Sequence, residues 1–111
     1  MADTPQQRRN SESRRLFFVF EREESTLIVK LSGEADLYGS SCLKQGLARK
    51  LGRVRKLIFD LEELDFADSY FLRVLLGLRK QLGGVSSVKV INAKPNVSKI
   101  FEITGLDELF M

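Results

Sequence analysis

Apolar positions along this chain fall in short blocks whose spacing switches between that of strands and that of helices. Leu16 to Phe20 is apolar and aromatic, Glu21 to Ser25 is polar, and Thr26 to Leu31 resumes with β-branched and aliphatic residues. This pattern predicts two short strands joined as an antiparallel hairpin. Ser32-Gly33 is expected to break the second strand, because Gly permits a sharp change of direction. From Ser40 or Ser41, either able to cap, Leu43, Leu47 and Leu51 recur at helical spacing with Lys44, Gln45, Arg49 and Lys50 between them. This first helix is expected to end near Gly52.

Lys56 to Asp60 contains the apolar run Leu57, Ile58, Phe59, which suits a short buried strand. Acidic residues then lead to Asp68 and Ser69. Beyond them Phe71, Leu75, Leu78 and Leu82 mark one face of a helix, with Arg73, Arg79, Lys80 and Gln81 elsewhere. Gly83-Gly84 releases the chain into a short strand, Val88 to Ile91. Pro95 opens a third helix, Val97, Ile100, Phe101 and Leu106 supply its apolar side, and Gly105 ends it. Leu106 to Met111 is apolar enough to dock back on the body. Strand–helix–strand units in succession imply right-handed crossovers, so the fold class is α/β. A mostly parallel central sheet is expected, its first two strands antiparallel and at least one face covered by about three helices.

Met1 to Arg15 has no repeating apolar position and reads as a disordered polar, basic tail, leaving residues 16–111 as one domain. The hydrophobic and charged fractions, 43% and 30%, are those of an ordinary globular chain. With Cys42 alone and no His, an intramolecular disulfide and a His-based catalytic triad are excluded. Cys42, among Leu43 and Leu47, reads as a small buried hydrophobe. No metal or cofactor is expected, and neither GxxxxGK[ST] nor GxGxxG occurs, which argues against an enzyme or nucleotide-binding domain. An apolar run long enough to span a bilayer and a cleavable leader are both missing, so a cytoplasmic protein without membrane contact is the expectation. The net charge is +3, and the first fifteen residues hold four Arg against Asp3 and Glu12. The remainder is too nearly neutral to argue for nucleic acid. Arg49, Lys50, Arg53, Arg55 and Lys56 form a basic cluster that reads as solvated surface at a helix end rather than a phosphate site.

The Asp68-Ser69 pair falls at a helix N-terminus, where the first N–H groups lack internal partners and the helix dipole places partial positive charge. A hydroxyl there caps the helix or carries a phosphate.

Three patches covering most of the chain from Thr26 to Phe110 resemble the STAS domain of bacterial anti-sigma factor antagonists. The family's Gly-Glu-x-Asp turn is matched by Gly33, Glu34, Ala35 and Asp36. Its Asp-Ser-(Ser/Thr/Ala)-Gly-Leu is matched at Asp68, Ser69 and Leu72. Its late helix, Val-x-x-Ile/Leu-Phe-Glu-Leu-Thr-Gly-Leu-Asp-x-Leu-Phe, is matched nearly residue for residue from Val97 to Phe110. The resemblance implies a sheet of four to five strands and a non-catalytic, partner-switching regulator of transcription. Such a protein binds an anti-sigma factor that is also a Ser/Thr kinase, is phosphorylated on Ser69 and so released, and is reset by a phosphatase. It implies a partner-binding surface of Glu34, Asp36, Asp68, Ser69, Tyr70, Phe71 and Arg73. The other role it admits is a phosphorylation-independent scaffold subunit of a signalling or lipid-transport assembly.

Two departures carry expectations of their own. Tyr70 and Phe71 stand where the family has a small residue and Gly, and they either project as apolar anchors or turn inward as core. Relatives usually continue past the Leu-Phe with a further short strand and a closing helix, so either the domain is trimmed or something else covers that edge, and an uncovered edge would invite a homodimer.

Overall fold

The computed structural model describes residues 15–111, so the tail expected over Met1 to Arg15 lies outside them except for Arg15. The order is β1 (Leu16–Glu23), β2 (Thr26–Ala35), α1 (Leu37–Ala48), β3 (Lys56–Ala67), α2 (Ser69–Gln81), β4 (Val88–Ile91), α3 (Pro95–Thr104) and α4 (Asp107–Phe110). Among the described residues one four-stranded sheet runs β1-β2-β3-β4, with the first pair antiparallel and the other two parallel. The α/β class and the mixed sheet are as expected. The helices number four among these residues rather than three, because Asp107–Phe110 forms a last turn that seats Phe110 in the core against Phe101.

Alternation along the strands decides which face is covered. Leu27, Leu57 and Val88 form one row across the sheet, and Val29, Phe59 and Val90 the next. All six are buried. Phe17 and Val19 of β1 point to the opposite face and are 61% and 58% exposed. Helices α1 and α2 lie side by side over the buried rows. The approach of α1 to β1 is set by glycine: a Cβ on Gly39 would come within 2.8 Å of the Leu16 side chain, and one on Gly46 within 3.2 Å of the Phe18 ring.

Several expected boundaries shift. Gly33 does not break β2 but lies inside it at φ +93°, where a Cβ would fall 1.8 Å from the Arg15 carbonyl oxygen. The strand β3 runs through the acidic stretch to Ala67 instead of stopping at Asp60. It carries two bulges: Lys30 pairs with Asp60 but Ser32 with Glu63, and Gly33 pairs with Leu64 but Glu34 with Phe66. Each bulge leaves backbone groups off the ladder. The Asp60 carboxylate accepts from Glu62 N–H at 3.1 Å, while the Asp65 carbonyl accepts from Asn96 Nδ2 at 2.8 Å. Lys94 joins the second bulge to the start of α3 through a 2.6 Å ion pair with Asp65.

Helix α1 starts at Leu37 rather than after Ser40 or Ser41, and it ends at Ala48 rather than near Gly52. Asp36 has taken the cap; Ser40 is buried inside the helix and the Ser41 hydroxyl donates back to the Leu37 carbonyl. Cys42 is half-buried rather than fully enclosed. The basic cluster is exposed, with Lys50 5.5 Å from the centre of the Phe20 ring. Helix α3 begins at Pro95 as expected, and Gly105 at φ +75° ends it, its N–H donating to Glu102 while Leu106 N–H donates to Phe101.

Candidate functional site

Neighbouring parallel strands end alike. Ala35 of β2 and Ala67 of β3 are register partners, and each is followed by an Asp and then a helix. Extended backbone at Asp36 and at Asp68 turns each carboxylate back over the helix it precedes. Asp36 Oδ1 accepts from Gly39 N–H at 2.8 Å; Asp68 Oδ1 accepts from Tyr70 and Phe71 N–H at 3.0 and 3.2 Å. Both therefore satisfy orphan N–H groups as N-caps. Asp68 N–H in turn donates to the Ala35 carbonyl at 3.2 Å, which ties the two turns together.

Ser69 is the first residue of α2 and is exposed. Its hydroxyl makes no hydrogen bond to another described residue, since the cap is already supplied by Asp68. Chemically this is an unengaged hydroxyl at a helix N-terminus, directly after the Asp68 cap. Tyr70 is half-buried against the core. Phe71 is a correction to the expected partner surface: it is 0% exposed, and its ring meets Phe59 edge-on at 6.3 Å between centroids. Burial of a large ring against the sheet takes it out of reach of any partner.

Arg73 is exposed one turn along α2. Glu34 is half-buried and paired with Phe66, on the sheet face opposite Ala35. Asp65 is engaged by Lys94, away from the paired caps. The structure thus gathers Asp36, Asp68, Ser69 and Tyr70 at the strand ends and leaves Glu34 on the far face. It also adds two residues that the sequence reading missed. Leu37 and Tyr38, 58% and 76% exposed, form the first turn of α1 beside the same edge. The available signal was an Asp followed by two apolar residues ahead of the Leu43 repeat.

Among the described residues no helix is long and apolar enough to cross a membrane, and no group of three His, Cys, Asp or Glu is placed to hold a metal ion. Residues 18–111 match the family model described as the STAS domain. The chain belongs to the STAS domain family. It is 33% identical over 94 residues to BtrV of Bordetella bronchiseptica, covering 83% of this chain and 81% of that one. To the anti-sigma F factor antagonist of Paenibacillus polymyxa it is 33% identical over 91 residues, covering 78% and 76%. The solved structure of the anti-sigma factor antagonist SpoIIAA in its unphosphorylated form superposes with a TM-score of 0.72 at 27% identity, over 86% of each chain. That of the Bacillus cell fate determinant SpoIIAA in the phosphorylated form gives 0.65 at 27% identity, over 86% of this chain and 89% of that one. The paired-cap edge is therefore carried on a STAS fold shared with proteins named as anti-sigma factor antagonists.

Proposed function

We propose that this STAS domain is an anti-sigma factor antagonist: a cytoplasmic, non-catalytic regulator of transcription that binds an anti-sigma factor Ser/Thr kinase and is switched off by phosphorylation of Ser69. The observation that carries the reading is the Ser69 hydroxyl itself, exposed, without a hydrogen bond to another described residue, and seated at the start of α2 directly after the Asp68 cap. The names of the relatives, and the phosphorylated form in which one of them was solved, support the same assignment.

The physics runs in two steps. A phosphate on Ser69 adds about −1.5 to −2 charge where a helix N-terminus tolerates an anion, so the domain stays folded. A partner surface matched to the neutral serine, however, then meets that charge together with Asp36 and Asp68, and loses binding through repulsion and desolvation. The inward Phe71 favours this reading, because the ring does not obstruct a kinase approaching Ser69. A phosphatase resets the switch by removing the charge.

The test is incubation of the chain with its cognate kinase and ATP. One phosphate is expected, absent in Ser69→Ala, and Ser69→Glu is expected to weaken kinase binding by about tenfold or more. Phosphate on another residue, or none, ends the switch assignment. A stable complex indifferent to both substitutions would mark the domain as a scaffold instead.

A further inference from the structure

The net charge of +3 conceals a separation between layers. Residues 37–56, spanning α1 and the turn after it, contain six Lys or Arg and no acid; residues 69–84, spanning α2, contain three and no acid. Acids gather instead on β3, at Asp60, Glu62, Glu63 and Asp65. Between α1 and α2 lies a cleft of about 280 Å³ lined by Leu51, Val74 and Leu78 together with Lys44 and Arg73. Lys44 and Arg73 are exposed, and neither makes an ion pair with a described residue.

Gly77 also lines this cleft, and it is the residue the free domain does not explain. It sits in the interior of α2, exposed, with helical backbone, and a Cβ built on it would meet nothing within 4 Å. Glycine weakens a helix interior relative to alanine, and here neither packing nor a positive φ requires it. What its bare backbone does permit is close approach from outside. We propose that the α1–α2 cleft is a docking groove for an acidic amphipathic helix of a partner protein. That helix lays its apolar side chains between Leu51 and Val74, passes its backbone over Gly77, and sets its carboxylates against Lys44 and Arg73. A concave lining in which Ala48, Leu51, Val74 and Leu78 lie beside Lys44, Arg73 and Gln81 suits an amphipathic helix better than a flat membrane, and the lack of an aromatic side chain in it argues against stacked nucleic-acid bases. The inference goes beyond the switch, since it requires no modification of Ser69.

The test is an NMR titration of the isotope-labelled full chain with a synthetic helical peptide bearing Leu on one face and Glu on the other. Controls are a scrambled peptide of the same composition, the Lys-for-Glu peptide, phosphatidylglycerol vesicles and duplex DNA. The expected result is saturable shifts confined to residues lining the cleft, obtained with the acidic helix and equally in Ser69→Ala. Binding should fall by about tenfold or more in Lys44→Glu/Arg73→Glu and in Gly77→Leu, the latter a substitution that a helix with open space accepts without unfolding. Equal binding of the scrambled peptide, unchanged binding by Gly77→Leu, shifts on the open sheet face, or preference for vesicles or DNA would each overturn the proposal.

Discussion

Asp36-Leu37-Tyr38-Gly39 and Asp68-Ser69-Tyr70-Phe71 open the two long helices at the same edge of the sheet, from register-paired strand ends and through the same carboxylate cap. They differ at two positions. Where the first turn of α1 has Leu37, that of α2 has Ser69, so the scaffold is built twice and the hydroxyl is supplied once. At the third helical position both residues face the core, yet one is Gly39 and the other Phe71. Helix α1 lies so close to β1 that a methyl group would collide with Leu16, whereas α2 leaves room for a whole ring against Phe59. The glycine that the family pattern places at position 71 stands in the sibling turn, and its absence from α2 alters packing beneath the site rather than the surface above it.

Swapping these fillings should break the comparison most severely. Phe71→Ala removes a fully buried ring and is expected to cost about 3–5 kcal/mol in chemical denaturation, enough to unfold a marginal domain. A cost under about 1 kcal/mol would mean that α2 can settle into the space, as α1 has done. The converse substitution, Gly39→Ala, puts a Cβ 2.8 Å from Leu16 Cβ and 3.2 Å from the Glu34 carbonyl oxygen. It should cost about 1–3 kcal/mol through overpacking, read in the same denaturation experiment.

The contrast also shows what was legible beforehand. Helix α2 could be read because Phe71, Leu75 and Leu78 keep one face without interruption, and the stop at Gly105 because a left-handed residue is needed there. The last seven residues of β3 were not legible. In a bulged strand the buried positions become Leu61, Leu64 and Ala67, three apart, and a two-residue period no longer describes them. Asp65 reads as a loop residue for the same reason, although its carboxylate holds the Lys94 ion pair. The start of α1 was misplaced because Ser40 and Ser41 are plausible caps by type, and only the tertiary setting shows that Asp36 already fills that role. At the site, Asp68 and Ser69 were legible from their place at a helix start, and Asp36 only through the resemblance of its turn to the family's; the burial of Phe71 was not legible, since an aromatic in a first turn fits either orientation.

The two carboxylates sharpen the comparison at smaller magnitude. Asp68 accepts two N–H groups and Asp36 one, so Asp68→Ala should destabilise by about 1–2 kcal/mol and Asp36→Ala by about 0.5–1. Thermal unfolding that ranks them the other way would show that the second N–H contributes little.

The smallest expected effect is the one that separates structure from switching. Because Ser69 is exposed, follows a cap that is already complete, and has a hydroxyl bonded to no described residue, Ser69→Ala removes no interaction that holds the fold. Alanine is also the better helix former, so the net change should lie within about 0.5 kcal/mol of zero. Denaturation curves of the two proteins should overlay, while Asp68→Ala, one residue earlier, moves measurably. If Ser69→Ala instead costs more than about 1 kcal/mol, the hydroxyl is part of the helix cap. Phosphorylation would then strain the domain itself, and the division of labour between adjacent residues, one holding the helix and the other free to be modified, would fail.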